Sequence, residues 1–458
     1  MPVQIDVDKL EQLRGALRGP LLLPGDGGYD ESRTVWNGMV DRHPPAIVQA
    51  TGNADVIAAV NFARENGLPV SIKGGGHSVA GKAVSDDALM IDLSLMNGVH
   101  VDPKARLARA QGGATWGIFD RECQVYGLAS TGGVISTTGV GGLTLGGGLG
   151  YLMGKHGLAI DNLVSLEVVT AGGEVVTASA SENPDLFWAL RGGSGNFGVV
   201  TSFEFQVHPV GPMVTGGIAA WPVAMAGDVL NFYKGLTDTA PDELTTFLAF
   251  TGAPDGSGNL IAAMPLVHCG SLEDGAAAVA PIKQFGPPFL DMLGPIPYGA
   301  VQSMLDAGFG PGAQVYWKAT FITGLSPEAM AVLAQKAQEL PTPTSSLVIE
   351  HFHGAVNRVA PDATAFPERG SNFNVAIVGV WNDPAHADAC IAWARGVYDD
   401  LQPFSSGGVY VNYLGVGDDD DRVLAAYGVN YERLAGIKQK YDPDNLFRTN
   451  QNISPART

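Results

Sequence analysis

Apolar and polar positions alternate in short blocks along the chain, and glycine marks most of the breaks between them. Over residues 53–66 the apolar residues Val56, Ile57, Val60 and Ala63 fall at helical spacing, with Asn53 as cap, Asp55 in the first turn and Gly67 as stop. The apolar run 68–71 follows as a buried strand, 88–93 and 106–111 read as further strands, and 115–126 reads as a helix closed by Gly127. A hairpin is predicted over 163–170 and 174–178 around Gly172 and Gly173. A helix over 184–191 and a strand over 199–207 complete this half.

Residues 209–222 change character and read as a boundary. Beyond it, helices over 223–237, 273–284, 327–340 and 384–401 alternate with strands over 244–250, 259–266, 314–321, 346–353 and 373–381. That alternation predicts one broad, largely antiparallel sheet with helices on one face. The Pro-rich piece 286–297 reads as a loop, 409–413 alternates like a strand, and 418–421 is an acidic cap ahead of a helix. The pattern is α+β, and 458 residues are too many for one ordinary core, so two domains are expected.

Composition narrows the function classes. With 45% hydrophobic and 16% charged residues the chain is core-rich, and a formal charge of −19 argues against nucleic acid and anionic membrane surfaces as partners. Cys123, Cys269 and Cys390 are odd in number and far apart, which suggests neither a disulfide framework nor a zinc knuckle. Residues 1–23 lack the pattern of a signal peptide, and no apolar run reaches membrane-spanning length. A cytoplasmic protein is expected.

Candidate chemistry begins where the strand over 68–71 runs into Ile72, Lys73, Gly74, Gly75, Gly76, His77 and Ser78, followed by Gly81. Backbone N–H groups in such a glycine run can converge on an anion, with the histidine at the mouth; a tight turn with a solvated histidine reads equally well from these residues alone. Residues 130–150 are denser still in glycine, with Val134, Ile135, Val140, Leu143 and Leu145 spaced between. A segment with so few side chains cannot supply much core, so a bound ligand is the economical explanation. Gly193, Gly195 and Gly198 match GxGxxG, but a helix precedes them and a strand follows, the reverse of the dinucleotide fingerprint. The run 418–421 lacks the glycine and distal glutamate of a calcium loop.

Taken together, GGGHS, the 130–150 stretch, WALRGGSGNFGVVTSFEF over 188–205, IPYGAVQSML over 296–305, YVNY and FRTNQNI resemble the FAD-linked oxidases of the vanillyl-alcohol oxidase superfamily, in the berberine-bridge-enzyme-like branch. The resemblance spans nearly the whole chain. It implies a two-domain PCMH-type FAD-binding fold, with 1–210 and 409–458 forming the FAD-binding domain around an inserted substrate domain, 211–408, of antiparallel sheet covered by helices. It implies a flavin bonded covalently to His77. Where many relatives carry a second attachment through cysteine, this chain has Ile135, so a single attachment is expected. The plant enzymes' catalytic glutamate has no counterpart, since 373–381 offers only Asn374 and Ala376 there.

On the same resemblance, cofactor contacts fall on residues 72–76, Ser78 and Gly81, then on Gly133, Val134, Ser136, Thr137, Thr138, Gly141 and Gly142, and further on Tyr151, Asp161, Asn162, Val200, Asn412, Asn450 and Asn452. It implies an oxidase taking hydride from an alcohol, amine or phenolic metabolite, with molecular oxygen as acceptor and peroxide as product. An oxygenase working through a flavin N5 oxide is the alternative, with Thr138 beside the reactive edge; a flavin-binding protein without turnover is the alternative of another class. Tyr410 is the expected base, provided something lowers its pKa from near 10. By strand periodicity Asn412 shares its face and Tyr413 points away. His351 and His353 share one face of their strand and Glu350 the other; the histidine face is expected to line the substrate pocket, with Glu350 as the amine-binding alternative. Asn374 and Trp317 are further substrate candidates. No metal is expected, because the HxH pair has no evident third ligand. A monomer or homodimer is expected.

Overall fold

The computed structural model describes residues 5–370, 373–418 and 420–456. Its first half holds two sheets. Ala46–Gln49, Leu89–Asp92 and Val70–Lys73 run parallel, with Leu21–Leu22 antiparallel at the edge. Val99–Asp102, Leu107–Gln111, Val199–Gln206, Leu163–Val169 and Val175–Ser179 form an antiparallel sheet in that order. The helix Asn53–Glu65 buries Val56, Ala59, Val60 and Ala63 against the first sheet, as its spacing requires.

The second half builds one antiparallel sheet in the order Leu290–Asp291, Met213–Pro222, Leu260–His268, Leu244–Gly252, Ser346–His351, Phe373–Trp381, Gln314–Ile322. Leu248, Leu266, Leu347, Ile349, Val375 and Ile377 point to one face, where they meet the apolar stripes of the helices Ala226–Thr237, Pro327–Ala337 and Ala387–Leu401. Each such side chain contributes about 1.5–3 kcal/mol on leaving water. The opposite face is left for the functional cavity.

Three expectations need correction. The boundary over 209–222 contains the strand Met213–Pro222, which the prolines at each end disguised. The loop over 286–297 contributes two short strands, Leu290–Asp291 and Gly294–Pro297, both paired to Met213–Pro222; proline is tolerated there because the edge leaves its missing N–H unneeded. Residues 409–413 are not a strand: Val411–Tyr413 is a 3₁₀ turn, with Tyr413 N donating to Tyr410 O at 2.8 Å. Of the acidic cap over 418–421, Asp419 lies outside the described residues, and the helix Asp420–Tyr427 follows it.

The C-terminal segment is tied into the first half. Asn196 donates to the carbonyl oxygens of Gly193 and Gln451 and accepts from Ile453 N. Lys438, fully buried on the helix Tyr431–Tyr441, donates to Asp442 Oδ2 at 2.6 Å, Asn196 O at 2.7 Å and Phe447 O at 3.0 Å. Asp442 in turn accepts from Leu446 N and Phe447 N. Lys438→Met strands the Asp442 carboxylate without a cation, so a loss of about 3–5 kcal/mol is expected. A lowered melting temperature checks it, and an unchanged one would show that the pair adds nothing.

Candidate active site

The glycine loop of residues 74–78 and the glycine-rich segment of 133–142 touch backbone to backbone. A Cβ on Gly75 would lie 2.3 Å from Gly139 N, so no larger residue allows the contact. The two loops form one wall of a cavity of about 980 Å³; the free face of the large sheet and the segments 410–414 and 449–451 form the rest. Among the described residues, none accepts a hydrogen bond from the N–H groups of Gly75, Gly76, His77, Ser78 and Val79. Asn450 Oδ1, also in the cavity lining, is buried with no hydrogen-bond partner among the described residues. Free backbone donors beside apolar Val70, Ile72, Leu145, Val200 and Phe203 suit a ligand with an anionic pyrophosphate and a flat apolar ring, so the residues present fit FAD.

His77 stands at the loop's end, its ring stacked on Trp36 with centroids 5.5 Å apart. Trp36 N donates to Gly76 O at 3.0 Å, which fixes the indole against the loop. The ring nitrogens of His77 face two hydroxyls, Nε2 that of Thr137 at 2.9 Å and Nδ1 that of Thr138 at 3.4 Å. Burial brings its imidazole down to about 4, against the opposing pull of Asp306, so the ring is neutral at ordinary pH.

Across the cavity, Glu350 projects from Ser346–His351 and is 4% exposed. Its Oε1 accepts from Tyr413 Oη at 2.7 Å and its Oε2 from Asn374 Nδ2 at 2.6 Å. Burial pushes the carboxyl up to about 7, with those two hydrogen bonds pulling the other way. Tyr410 Oη accepts from Gly148 N at 2.9 Å and Asn412 Nδ2 at 2.8 Å, and Asn412 also donates to Leu143 O at 2.9 Å. A phenol oxygen that accepts from two N–H groups has its own hydrogen to donate.

These contacts change several assignments. Tyr410 lines the cavity, and burial pushes its phenol up to about 12, away from the lowered value expected of a base. Tyr413 points into the cavity beside it, their rings 4.8 Å apart, because the 3₁₀ turn does not alternate as a strand would. His351 and His353 do not line the cavity. They stack on one another at 4.4 Å, and His351 shares the helix-covered face with Leu347 and Ile349. Burial pushes His351 down to about 3. The Glu350 face is the one turned to the cavity. Asn374 stands behind Glu350 and off the cavity wall, and Trp317 lines it as expected.

Among the expected cofactor residues, Ile72, Gly74, Gly75, Gly76, Ser78, Gly133, Val134, Thr138, Gly141, Gly142, Val200, Asn412 and Asn450 line the cavity. Lys73 does not: it donates to Ser32 O at 2.5 Å and lies 3.5 Å from Asp92. Gly81 packs on Val40, and Ser136 is held by Asp306 through N at 2.8 Å and Oγ at 2.5 Å. Thr137 reaches the site only through His77. Tyr151 is buried against Phe247, ring centroids 5.6 Å apart. Asp161 forms a two-pronged pair with Arg369, 2.8 Å on each arm, and Asn162 bonds His208 at 2.7 Å. Asn452 is likewise set back from the wall. Sequence reasoning missed Trp36 and Asp306, whose partners lie 41 and 170 positions away along the chain, beyond the reach of any local signal.

Residues 44–179 match the FAD binding domain family and residues 409–454 the berberine and berberine-like family. An FAD-linked oxidoreductase of Dictyostelium discoideum is 30% identical over 96% of this chain and 96% of its own. Among solved structures, 6-hydroxy-D-nicotine oxidase from Arthrobacter nicotinovorans superposes with a TM-score of 0.87 at 29% identity, covering 96% of this chain and 98% of that one. Xylooligosaccharide oxidase from Myceliophthora thermophila, in complex with xylobiose, does so with 0.86 at 27%, covering 98% and 100%. Fold, glycine cradle and these likenesses agree, and the chain belongs to the berberine-bridge-enzyme-like branch of the vanillyl-alcohol oxidase superfamily as an FAD-dependent oxidoreductase.

Proposed function

We propose that the protein is an oxidase of a small or medium organic alcohol, amine or phenolic metabolite, in which His77 holds FAD through one covalent bond and Glu350 takes the substrate proton. The observation that carries this reading is a buried carboxyl in the cavity, held by Tyr413 and Asn374 with a pKa of about 7. A base poised near working pH is what general catalysis favours. FAD, when bound, supplies the hydride acceptor and passes the two electrons to molecular oxygen, giving peroxide.

Glu350 would accept the O–H or N–H proton as the neighbouring C–H leaves as hydride, so the substrate loses two electrons and two hydrogens. Its two donors keep the carboxylate oriented, and above pH 7 the carboxylate form prevails. Tyr410, with a hydrogen to donate, holds the substrate oxygen or nitrogen in line. Neutral His77, its ring held by Trp36 and the Thr137 and Thr138 hydroxyls, would have a ring nitrogen lone pair free to hold the flavin covalently. The reading needs only a small molecule and oxygen as partners, and neither nucleic acid nor membrane. Among the described residues no helix is long and apolar enough to cross a membrane.

A panel of alcohols and amines assayed for peroxide release and oxygen uptake tests the reading; flavin that no member of the panel reduces anaerobically would overturn it. Tyr410→Phe removes the donated hydrogen and leaves Glu350 in place. A fall in kcat of about ten- to a hundredfold is expected, with the acid limb of the pH profile unmoved. A lost acid limb would assign the base to Tyr410 instead.

A further inference from the structure

We infer that the substrate is elongated and largely apolar, and lies in a trough of small side chains that crosses the large sheet, its oxidised carbon beside Glu350. The inference rests on Glu350 marking the reacting end.

The trough follows from register. On the face turned to the cavity, Ala376 is opposite Val348, Val348 opposite Ala249, and Ala249 opposite Ala263. Four adjacent strands thus present small side chains in one row, three strand steps or about 14 Å long. The row two residues along each strand is bulkier: Glu350, then Phe247 opposite it, with Pro265 and Ile218 opposite one another beyond. On the other side stand Trp317 and Val378, also mutually opposite. The small row is thus banked on one side by Glu350, Phe247 and Pro265, and on the other by Trp317 and Val378 with the lower Ser346 and Thr251 following them, and the Glu350 carboxyl flanks it.

Its chemistry is largely apolar, with the hydroxyls of Ser346 and Thr251 on one bank. The hydroxyl of Thr251 is already donated to Ser345 O at 3.1 Å, and the amide of Asn374 to Glu350. The far end is bounded by Leu290 and Met292 on the edge strand and its continuation, which approach closely because Gly217 has φ +127° and a Cβ there would lie 2.2 Å from Met292 O. Met292 is 63% exposed at the mouth. A sugar chain in this trough would bury several hydroxyls at every ring against few side chains able to receive them. An alkyl chain or a row of fused rings would lose only water.

Isothermal titration of the holoenzyme with hexan-1-ol, octan-1-ol, decan-1-ol and xylobiose tests this. Affinity should rise about three- to fourfold for each added methylene, and xylobiose should give no heat. Ala249→Trp, which fills the floor, should return decan-1-ol to the affinity of hexan-1-ol; if that variant does not fold, the wild-type series decides alone. Equal affinity across the alcohols, or xylobiose binding more tightly than octan-1-ol, would overturn the proposal. A rising series without peroxide release from any substrate would sink the oxidase reading and leave the trough standing, and peroxide release from a sugar with a flat series would do the reverse.

Discussion

Glu350→Gln is expected to lower kcat by about a hundred- to ten-thousandfold and to erase the rise of kcat with pH through about 7. Glutamine keeps the shape, and its carbonyl still accepts from Tyr413, so the loss isolates the proton-accepting oxygen. Stability moves the other way. The carboxyl's value in the fold, about 7, lies above its ordinary 4.5, so between those values the unfolded chain has released a proton that the fold retains. Wild-type stability therefore falls as pH rises through that window, by an amount on the order of 3 kcal/mol when complete. Glutamine carries no such charge. Thermal melts of the two proteins at pH 5 and pH 8 check this without any substrate: the variant should gain on the wild type at pH 8. A variant that melts lower at both values by the same margin, with turnover and pH profile intact, would remove Glu350 from the chemistry and leave it a packing residue.

That Glu350 and not the histidine pair faces the cavity could not be read from the strand alone. Alternation correctly divides Glu350 from His351, but both faces of 346–353 carry apolar neighbours, Leu347 and Ile349 on one, Val348 and Phe352 on the other. Only the placement of the helices Ala226–Thr237 and Ala387–Leu401 over the first set decides which face is left for a ligand. The helices and central strands themselves were legible, because their periodicity is a local consequence of burying one stripe. Tyr413 failed for a related reason. YVNY alternates as a strand does, yet among the described residues no strand pairs with it; its backbone closes on itself, and the turn swings Tyr413 back toward Glu350.

The glycine cradle was legible for a different cause. Gly75 and Gly139 are glycines because two backbones meet there, a demand that no other residue type satisfies and that leaves a mark in the sequence whatever surrounds it. Asp161 shows the limit of such reading. It sits in the cofactor-bearing half, but Arg369, 208 positions away, takes both of its oxygens and turns it into a structural clamp. A polar residue's role depends on its partner, and distant partners leave no local pattern.

His77→Ala is expected to convert a flavin that precipitates with the protein into one that acid releases. Wild-type protein treated with trichloroacetic acid should give a yellow pellet and a clear supernatant; the variant should give the opposite, with FAD still bound before acid through the free N–H groups of residues 75–79. The state of the imidazole adds a second, independent check. Its pKa of about 4 keeps the ring neutral, with a lone pair available, well below the ordinary histidine range. Attachment measured on flavin-free wild-type protein supplied with FAD should therefore proceed at much the same rate from pH 8 to pH 6 and fail only as pH approaches 4. An ordinary exposed histidine would lose most of its reactive form already near pH 6. Colour released from the wild-type pellet would end the covalent assignment, and colour retained by the variant would move it to another residue of the cavity wall.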